Sequence, residues 1–208
     1  RFAEINYQWF PTERNLALLN FAYGGQAGAT ADEHALFRRP PDFDPNRVPP
    51  LDLAARSLVR PALGWAILRQ GQKPVSTMLL LDYGLVRGHA HPDKLNWLLF
   101  ARGRELVPDQ GYLSARHHYQ PWLQSTACHN VVLVEGRPQQ LAAGELLSFT
   151  TGEVAQSITA QAPAAYPGQV DRYERTLVLM TPEPDPPYVL DVFRVSGGQH
   201  HIMAFHGD

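Results

Sequence analysis

From Leu63 to the C-terminus, short runs of strand-forming residues alternate with turns rich in glycine and proline. Two pairs of runs flank a turn and predict hairpins, namely 64–69 with 75–83 and 96–100 with 105–107. Further strands are predicted at 130–134, 146–150, 154–160, 172–180, 188–195 and 200–205. Eight or more short strands favour a mainly β fold, an antiparallel multi-stranded β-sandwich with little helix. Their number does not distinguish one sandwich from two stacked sheets with extra edge strands.

The N-terminal part of the chain has a different composition. Thr12 and Glu13 offer a helix start, residues 15–22 are largely apolar, and Gly24 can end a helix. Residues 25–51 are rich in glycine, alanine, proline, aspartate and arginine, which is typical of a linker or a long surface crossing. We therefore expect a short helical segment and a proline-rich linker over 1–60, and a β-sandwich domain, truncated at both ends, over 61–208.

The overall composition is that of a globular protein and narrows the range of partners. Hydrophobic residues make up 44% of the chain and charged residues 18%. A net charge of −2 provides no basic field for nucleic acid, so an anionic partner would need local arginines and lysines. No apolar run approaches membrane-spanning length, and the single cysteine excludes an internal disulfide. Because the sequence lacks an initial methionine and a signal peptide, we expect it to be cut from a longer protein.

The histidines are concentrated in one region, since five of the nine lie between His89 and His129. In an extended backbone, residues i and i+2 face the same side, so His89 and His91 would project together. The proline that follows His91 favours such a backbone. These two histidines, Asp109 and a third histidine, His129, have metal-ligand chemistry if they converge. The alternative is that each caps a turn or lines a polar surface.

The second predicted hairpin gives a geometric reason to place Asp109 near the histidines. A turn at Arg102-Gly103 would fold the second strand back along the first and return Asp109 toward Asn96, at the strand end where His91 lies. The alternative is that Asp109 is an ordinary turn residue after a proline.

These motifs, taken in order, resemble the heparinase II/III-like family of polysaccharide lyases, which includes alginate lyases. The resemblance covers about two thirds of the chain and is carried by GHAHPDK at 88–94, Pro108-Asp109, the segment 125–137 that contains ACHN, and the segments 173–177 and 188–198. It implies a β-sandwich domain preceded by an α-helical toroid, and residues 1–24 resemble the tail of that toroid. A short surface helix of the β domain itself is the alternative for 1–24.

The resemblance also implies roles for individual residues. His91, Asp109 and His129 would hold one zinc ion, Zn²⁺, in a structural role, while His89 and Tyr119 would act on the substrate. β-Elimination on a uronic acid needs a group that neutralises the carboxylate, a base and an acid. A neutral imidazole such as His89 suits either of the first two roles. The remaining catalytic groups, including a tyrosine, would come from the toroid, so the activity of this fragment alone is left open.

Three further residues are candidates for substrate contact. Arg87 could pair with a carboxylate or sulfate, although a solvated arginine is the alternative. His118 and Trp122 lie in an aromatic loop suited to stacking on sugar rings, or they fill a small core under that loop. The expected partner is an anionic polysaccharide or oligosaccharide, with no nucleic acid and no membrane. The sequence is also compatible with a homodimer. The resemblance implies a bacterial periplasmic or secreted location.

Two other functions stay open. A non-catalytic, zinc-stabilised β-sandwich module could bind polysaccharide or support a lyase, and it would have no need of His89. A cupin-like metalloenzyme also carries two alternating histidines on a strand. It would need a glutamate shortly after them, where this chain has Leu95 and Asn96. The sequence does not distinguish which uronic acid is cleaved, nor endo from exo cleavage.

Overall fold

The structure is a computed structural model that describes residues 2–23, 37, 39, 43–44, 56–71, 76–85, 91–182 and 186–207. It divides into two compact units, Arg1–Ala54 and Ala55–Asp208. The candidates Arg87 and His89 and most of the expected linker lie outside the described residues. No helix in the described part of the chain is long and apolar enough to cross a membrane.

The described residues of the N-terminal unit include the helices α1 (Phe2–Trp9) and α2 (Glu13–Ala22). The start of α2 agrees with the sequence prediction, because Thr12 Oγ1 accepts the amide of Asn15 at 3.2 Å and so caps the helix. Both helices lie within the helical region expected over residues 1–24, although the sequence analysis gave no separate start for α1. Asn6 on α1 donates its side-chain amide to Asn15 Oδ1 at 3.0 Å, which joins the two helices.

The second unit begins with a five-stranded antiparallel sheet whose strands are neighbours in chain order. Its strands are β1 (Leu58–Arg60), β2 (Trp65–Gln70), β3 (Thr77–Asp82), β4 (Trp97–Ala101) and β5 (Arg104–Val107). Four of them match predicted strands to within two residues. The short β1 lies before residue 61, the expected start of the β domain, and pairs with β2 from Leu58 opposite Ile67 to Arg60 opposite Trp65.

A four-stranded antiparallel sheet and a two-stranded one complete the unit. The four strands, in the spatial order β10-β9-β8-β7, are β7 (Glu145–Thr150), β8 (Ala155–Gln161), β9 (Arg172–Met180) and β10 (Tyr188–Ser196). The small sheet pairs β6 (Val132–Val134) with β11 (His201–Met203). One helical turn, α3 (Gln120–Leu123), and 3-10 turns at Thr126–Cys128 and Pro163–Ala165 lie in the connections. The prediction of an antiparallel β fold is confirmed.

The core of the β unit lies between the sheets. Burial alternates along β3, where Leu79 and Leu81 are fully buried, because alternate side chains of a strand face opposite sides of the sheet. They belong to one apolar cluster with Ile158 of β8 and with Leu177 and Leu179 of β9. Each such side chain contributes about 1.5–3 kcal/mol by leaving water. The sandwich is therefore held by side chains from both large sheets.

Two glycines let the start of β2 cross the end of β3 at close range. Gly64 has a φ of +67°, and a Cβ on it would lie 1.9 Å from the Cα of Gly84. The Gly64 carbonyl accepts the amide of Tyr83 at 2.8 Å. This crossing fixes the chain just before residues 84 and 85, which lead toward the histidine segment.

Candidate metal centre and adjoining pocket

The β4–β5 hairpin delivers Asp109 to the site as the sequence predicts. Arg102 and Gly103 form its two-residue turn with φ values of +52° and +76°, the left-handed conformation that such tight hairpins require. Asp109 follows β5 after Pro108, and its Oδ2 lies 3.5 Å from Nδ2 of Asn96. The predicted return of Asp109 toward Asn96 is therefore confirmed.

The structure brings together the side chains of His91, Asp109 and His129. One ligand atom from each lies within 4.8 Å of the others. His91 Nδ1 lies 3.1 Å from His129 Nε2, and His129 Nε2 lies 3.9 Å from Asp109 Oδ2. Tetrahedral zinc with bonds of about 2.0–2.2 Å separates its ligand atoms by roughly 3.4 Å. The two separations that involve His129 lie within about 0.5 Å of that value, which suits a zinc ion. Zinc binding itself stays a prediction.

Hydrogen bonding and burial prepare both imidazoles as ligands. The Nδ1 of His129 donates to the carbonyl of Ser125 at 2.8 Å, so its Nε2 lone pair faces the cluster. Burial, with a further contribution from His129, lowers the pKa of His91 below its usual value. Both contributions favour the neutral form of His91, the form that binds a metal. Without a metal, the same geometry lets His91 Nδ1–H donate to His129 Nε2.

Two buried amide side chains connect the segments that carry these ligands. Asn96 Oδ1 accepts the backbone amide of Asn130 at 3.0 Å, while its Nδ2 faces Asp109.

The side chain of Gln139 accepts the backbone amide of Lys94 at 2.6 Å and donates to the Lys94 carbonyl at 3.0 Å. The backbone amide of Gln139 donates to Thr126 Oγ1 at 2.9 Å, and that hydroxyl donates to the carbonyl of Pro92. These bonds hold the 92–96 turn against the segment that leads to His129.

A buried lysine balances the carboxylates beside the centre. Lys94 is 1% exposed, and its Nζ lies 2.7 Å from Asp82 Oδ2 and 3.3 Å from Asp93 Oδ1. Burial works against the charged form of Lys94, but Asp93 and Asp82 together raise its pKa. Burial raises the pKa of Asp82, although Lys94 opposes that effect. Since Asp93 Oδ2 also lies 3.8 Å from His129 Nε2, this ion pair adjoins the candidate metal ligands.

A cavity of about 480 Å³ opens beside the centre, within the β unit. His91, Asp109 and Asn96 contribute to its polar wall, and its apolar side chains include half-exposed Trp65 and Tyr112. The rings of Tyr112 and His91 are stacked with centroids 6.4 Å apart. A few polar groups set among aromatic side chains are typical of a ligand site, and planar aromatic faces suit sugar rings.

The described residues on either side of 86–90 both belong to this cavity. Leu85 precedes that segment and His91 follows it, and each lines the wall. The candidates Arg87 and His89 belong to the segment between them in sequence.

The other candidates lie in the loop around α3. Tyr119 is 58% exposed, and its ring stacks near His117 and His118 with centroids 5.8 Å and 4.4 Å away. Trp122 is half-exposed and meets His206 edge-on. Tyr119, His118 and Trp122 are not among the residues that line the cavity, whereas Tyr112 is.

Sequence reasoning missed several residues of this site. Gln139 is isolated between unremarkable neighbours, and no local pattern marks its bonds to Lys94, 45 residues away. Trp65 was assigned only to a strand. Trp65 begins β2 and pairs with Asp82 of β3, so the register of the hairpin would have placed it beside the site.

Comparison with known proteins identifies the domain. Residues 54–207 match the family described as Heparinase II/III-like, C-terminal. The chain belongs to the heparinase II/III-like family. The resemblance inferred from the motifs is therefore confirmed.

Two relatives by sequence are named alginate lyases. An exo-oligoalginate lyase of Saccharophagus degradans is 34% identical over 52% of this chain and 17% of its own length. An alginate lyase of Stenotrophomonas maltophilia is 28% identical over 64% of this chain and 20% of its own length. The chain thus spans about a fifth of the length of the relatives it matches.

Solved structures of heparinases share the fold. A heparan sulfate lyase from Pedobacter heparinus has a TM-score of 0.64 at 20% identity, covering 92% of this chain and 26% of its own. A structure of heparinase III has a TM-score of 0.60 at 18% identity, over 92% of this chain and 27% of its own. At these identities the likeness concerns the fold alone.

Proposed function

We propose that the chain is the β-sandwich domain of a polysaccharide lyase that cleaves a uronic-acid polysaccharide by β-elimination. One observation carries the proposal: an aromatic-lined cavity has His91 and Asp109 in its wall and is flanked, in sequence, by the ends of the segment that contains His89. Alginate is the favoured substrate, because both sequence relatives are named alginate lyases. A glycosaminoglycan is the second choice, because the structural neighbours include a heparan sulfate lyase.

The metal centre has a structural role in this proposal. His91, Asp109 and His129 would hold one zinc ion, and the ion would supply a fixed positive charge that ties three chain segments together. The fit of the donor atoms and the tautomer of His129 support this assignment. Removal of the proton next to a carboxylate does not require a metal-bound hydroxide, so no catalytic step is assigned to the ion.

His89 is the proposed catalytic residue of this chain. A neutral imidazole near pH 7 can neutralise the substrate carboxylate by hydrogen bonding or relay the proton from the adjacent carbon. A tyrosine, either Tyr119 or one from an upstream helical toroid, would complete the acid–base pair. Arg87 would face the carboxylate, in line with the preference of guanidinium groups for planar anions.

The sugar rings would stack on aromatic side chains near the centre. His118 and Trp122 stay candidates, since their loop is exposed and rich in rings. Trp65 and Tyr112 join them, because both line the cavity. We further propose that the protein acts in the bacterial periplasm or outside the cell, where such polymers are met.

The test is the formation of unsaturated uronate by the full-length gene product on alginate and on heparan sulfate. His89→Ala should lower the rate about 10²–10⁴-fold, the usual contribution of one acid–base group. Zinc content and melting temperature should hardly change. The control is His201→Ala, because the exposed side chain of His201 bonds only the Gly197 carbonyl among the contacts described.

Two outcomes would overturn the catalytic assignment. His89→Ala could keep its lyase rate, or it could lose zinc and fold together. Either result would make His89 structural. If the wild-type protein itself cleaves neither polymer, the non-catalytic, zinc-stabilised module becomes the better account.

A further inference from the structure

Arg175 lies at the centre of the sandwich, far in sequence from the metal ligands. It is on β9, and its side chain is fully buried. Its Nε donates to Asp191 Oδ1 at 2.8 Å and its Nη2 to Asp191 Oδ2 at 2.5 Å. Asp191 is on β10, paired with β9, and its side chain is 21% exposed. The guanidinium is thereby oriented by a two-pronged ion pair.

The remaining nitrogen of the guanidinium reaches out of the four-stranded sheet. Nη1 donates to the carbonyl of Leu95 at 2.8 Å and also to the carbonyl of Asn130. Leu95 has a φ of +68°, so the chain turns sharply there and directs this carbonyl inward. Asn130 directly follows His129, and Leu95 belongs to the turn that follows His91. One cation therefore joins the two segments that carry the histidine ligands.

A buried arginine could instead serve only the stability of the sandwich. The aromatic rings near the guanidinium fit that account, since the ring centroids of Trp97 and Phe193 lie 5.6 Å and 5.0 Å from its central carbon. Asp191 accepts from Nε and Nη2 only, so the buried Nη1 needs acceptors of its own, and a purely structural role would be served equally well by acceptors within its own sheet. Both Nη1 bonds end on backbone carbonyls of the site segments, 80 and 45 residues away in sequence. This choice of partners favours a role in the site.

We infer that Arg175, oriented by Asp191, is a positioning residue that holds His91 and His129 at the separation that a zinc ion requires. The inference rests on the proposed metal centre. It assigns no contact between Arg175 and the ion or substrate. Arg175 acts through the backbone beside each histidine, as outer-shell partners of metal ligands do.

The first measurement is the zinc dissociation constant, obtained by competition with a chelator well below the melting temperature. Arg175→Lys keeps the charge but loses the planar fork, and Asp191→Asn keeps Arg175 but removes the charge that orients it. Each variant should bind zinc about tenfold more weakly or worse, the usual effect of losing an outer-shell partner. Unchanged affinity in both would overturn the inference. If Arg175→Lys does not fold, Asp191→Asn decides.

Two controls separate positioning from general instability. Arg172→Lys changes an arginine on the same strand whose side chain is 49% exposed and pairs with Glu174 at 2.8 Å. Leu179→Ala truncates a fully buried core residue near the far end of β9. Both controls should keep wild-type zinc affinity, although Leu179→Ala unfolds more readily. Loss of zinc in Leu179→Ala to the same degree would show that affinity follows stability alone, which contradicts the inference.

A second measurement does not depend on zinc. The rings of His91 and His129 have centroids 5.1 Å apart, so NMR of protein treated with a chelator should detect a proton–proton contact between them. Arg175→Lys and Asp191→Asn should weaken that contact, whereas Arg172→Lys should keep it. If the wild-type protein binds no zinc, the proposed metal centre fails, and this contact alone decides the role of Arg175. An undiminished contact in both variants would then refute it.

Discussion

Asn96→Ala is the sharpest perturbation of the bonds that hold the candidate metal centre together. The Asn96 side chain is 2% exposed, accepts the Asn130 amide at 3.0 Å and faces Asp109 Oδ2 at 3.5 Å. Alanine removes both interactions without adding bulk. One lost bond lies beside His129, and the other orients the carboxylate of Asp109, a candidate ligand.

The expected losses follow from these two contacts. The amide of Asn130 would be left buried and unsatisfied, which costs about 1–3 kcal/mol of unfolding free energy. Loss of the contact with Asp109 removes an outer-shell partner of a metal ligand, which typically weakens metal affinity about 10–100-fold. Zinc should therefore stabilise the variant less than it stabilises the wild type, because ligand stabilisation depends on the ratio of concentration to dissociation constant.

Urea unfolding with a chelator and with excess zinc measures the first loss, and chelator competition measures the second. Gln156→Ala is the matched control: Gln156 is a 4%-exposed amide that donates to the Arg69 carbonyl at 2.9 Å, near the end of β2 opposite to Trp65. It should lose stability but keep zinc affinity. The reasoning is refuted if Asn96→Ala binds zinc as tightly as the wild type, or if Gln156→Ala loses affinity equally.

Two further predictions concern the framework of the domain. Gly64→Ala should lower the free energy of unfolding by more than about 4 kcal/mol or prevent folding, because its Cβ would overlap Gly84. Gly103→Ala has open space around it and strain only from its φ of +76°, so it should lower the free energy of unfolding by about 1–2 kcal/mol. Urea unfolding measures both, and equal losses would contradict the close crossing at Gly64. Burial raises the pKa of Tyr166 from 10.0 to about 12. The protonated phenol thus stabilises the fold fully below the unfolded pKa, and that contribution is lost as pH rises toward the folded pKa. Tyr166→Phe should make the fall of unfolding free energy between these two pKa values shallower by about 1.4 kcal/mol per pH unit, and an unchanged slope would refute this.

The parts of the fold that depend on neighbouring residues could be predicted from the sequence. Most strands follow from periodicity and turn residues, and the approach of Asp109 to Asn96 follows from the two-residue turn at Arg102-Gly103. The short β1 was missed because three residues carry too little periodicity to predict a strand. Its existence depends on pairing with β2.

The convergence of the site depends on distant residues, which a local pattern does not contain. His91 and His129 are 38 residues apart and were grouped through the family resemblance rather than through spacing. Gln139 and Arg175 were missed because their bonds to the 92–96 turn span 45 and 80 residues. The aromatic loop was recognisable from composition, but only the folded chain distinguishes Tyr112, which lines the cavity, from Tyr119.

The most direct test of this account is anomalous diffraction at the zinc absorption edge, from crystals of the zinc-loaded protein soaked with a uronate oligosaccharide. The account predicts one peak bound by His91, Asp109 and His129, with the sugar in the adjoining cavity against Trp65 and Tyr112. A peak at other side chains would contradict the metal centre. A sugar bound away from the cavity, with the zinc in place, would contradict its assignment as the substrate site.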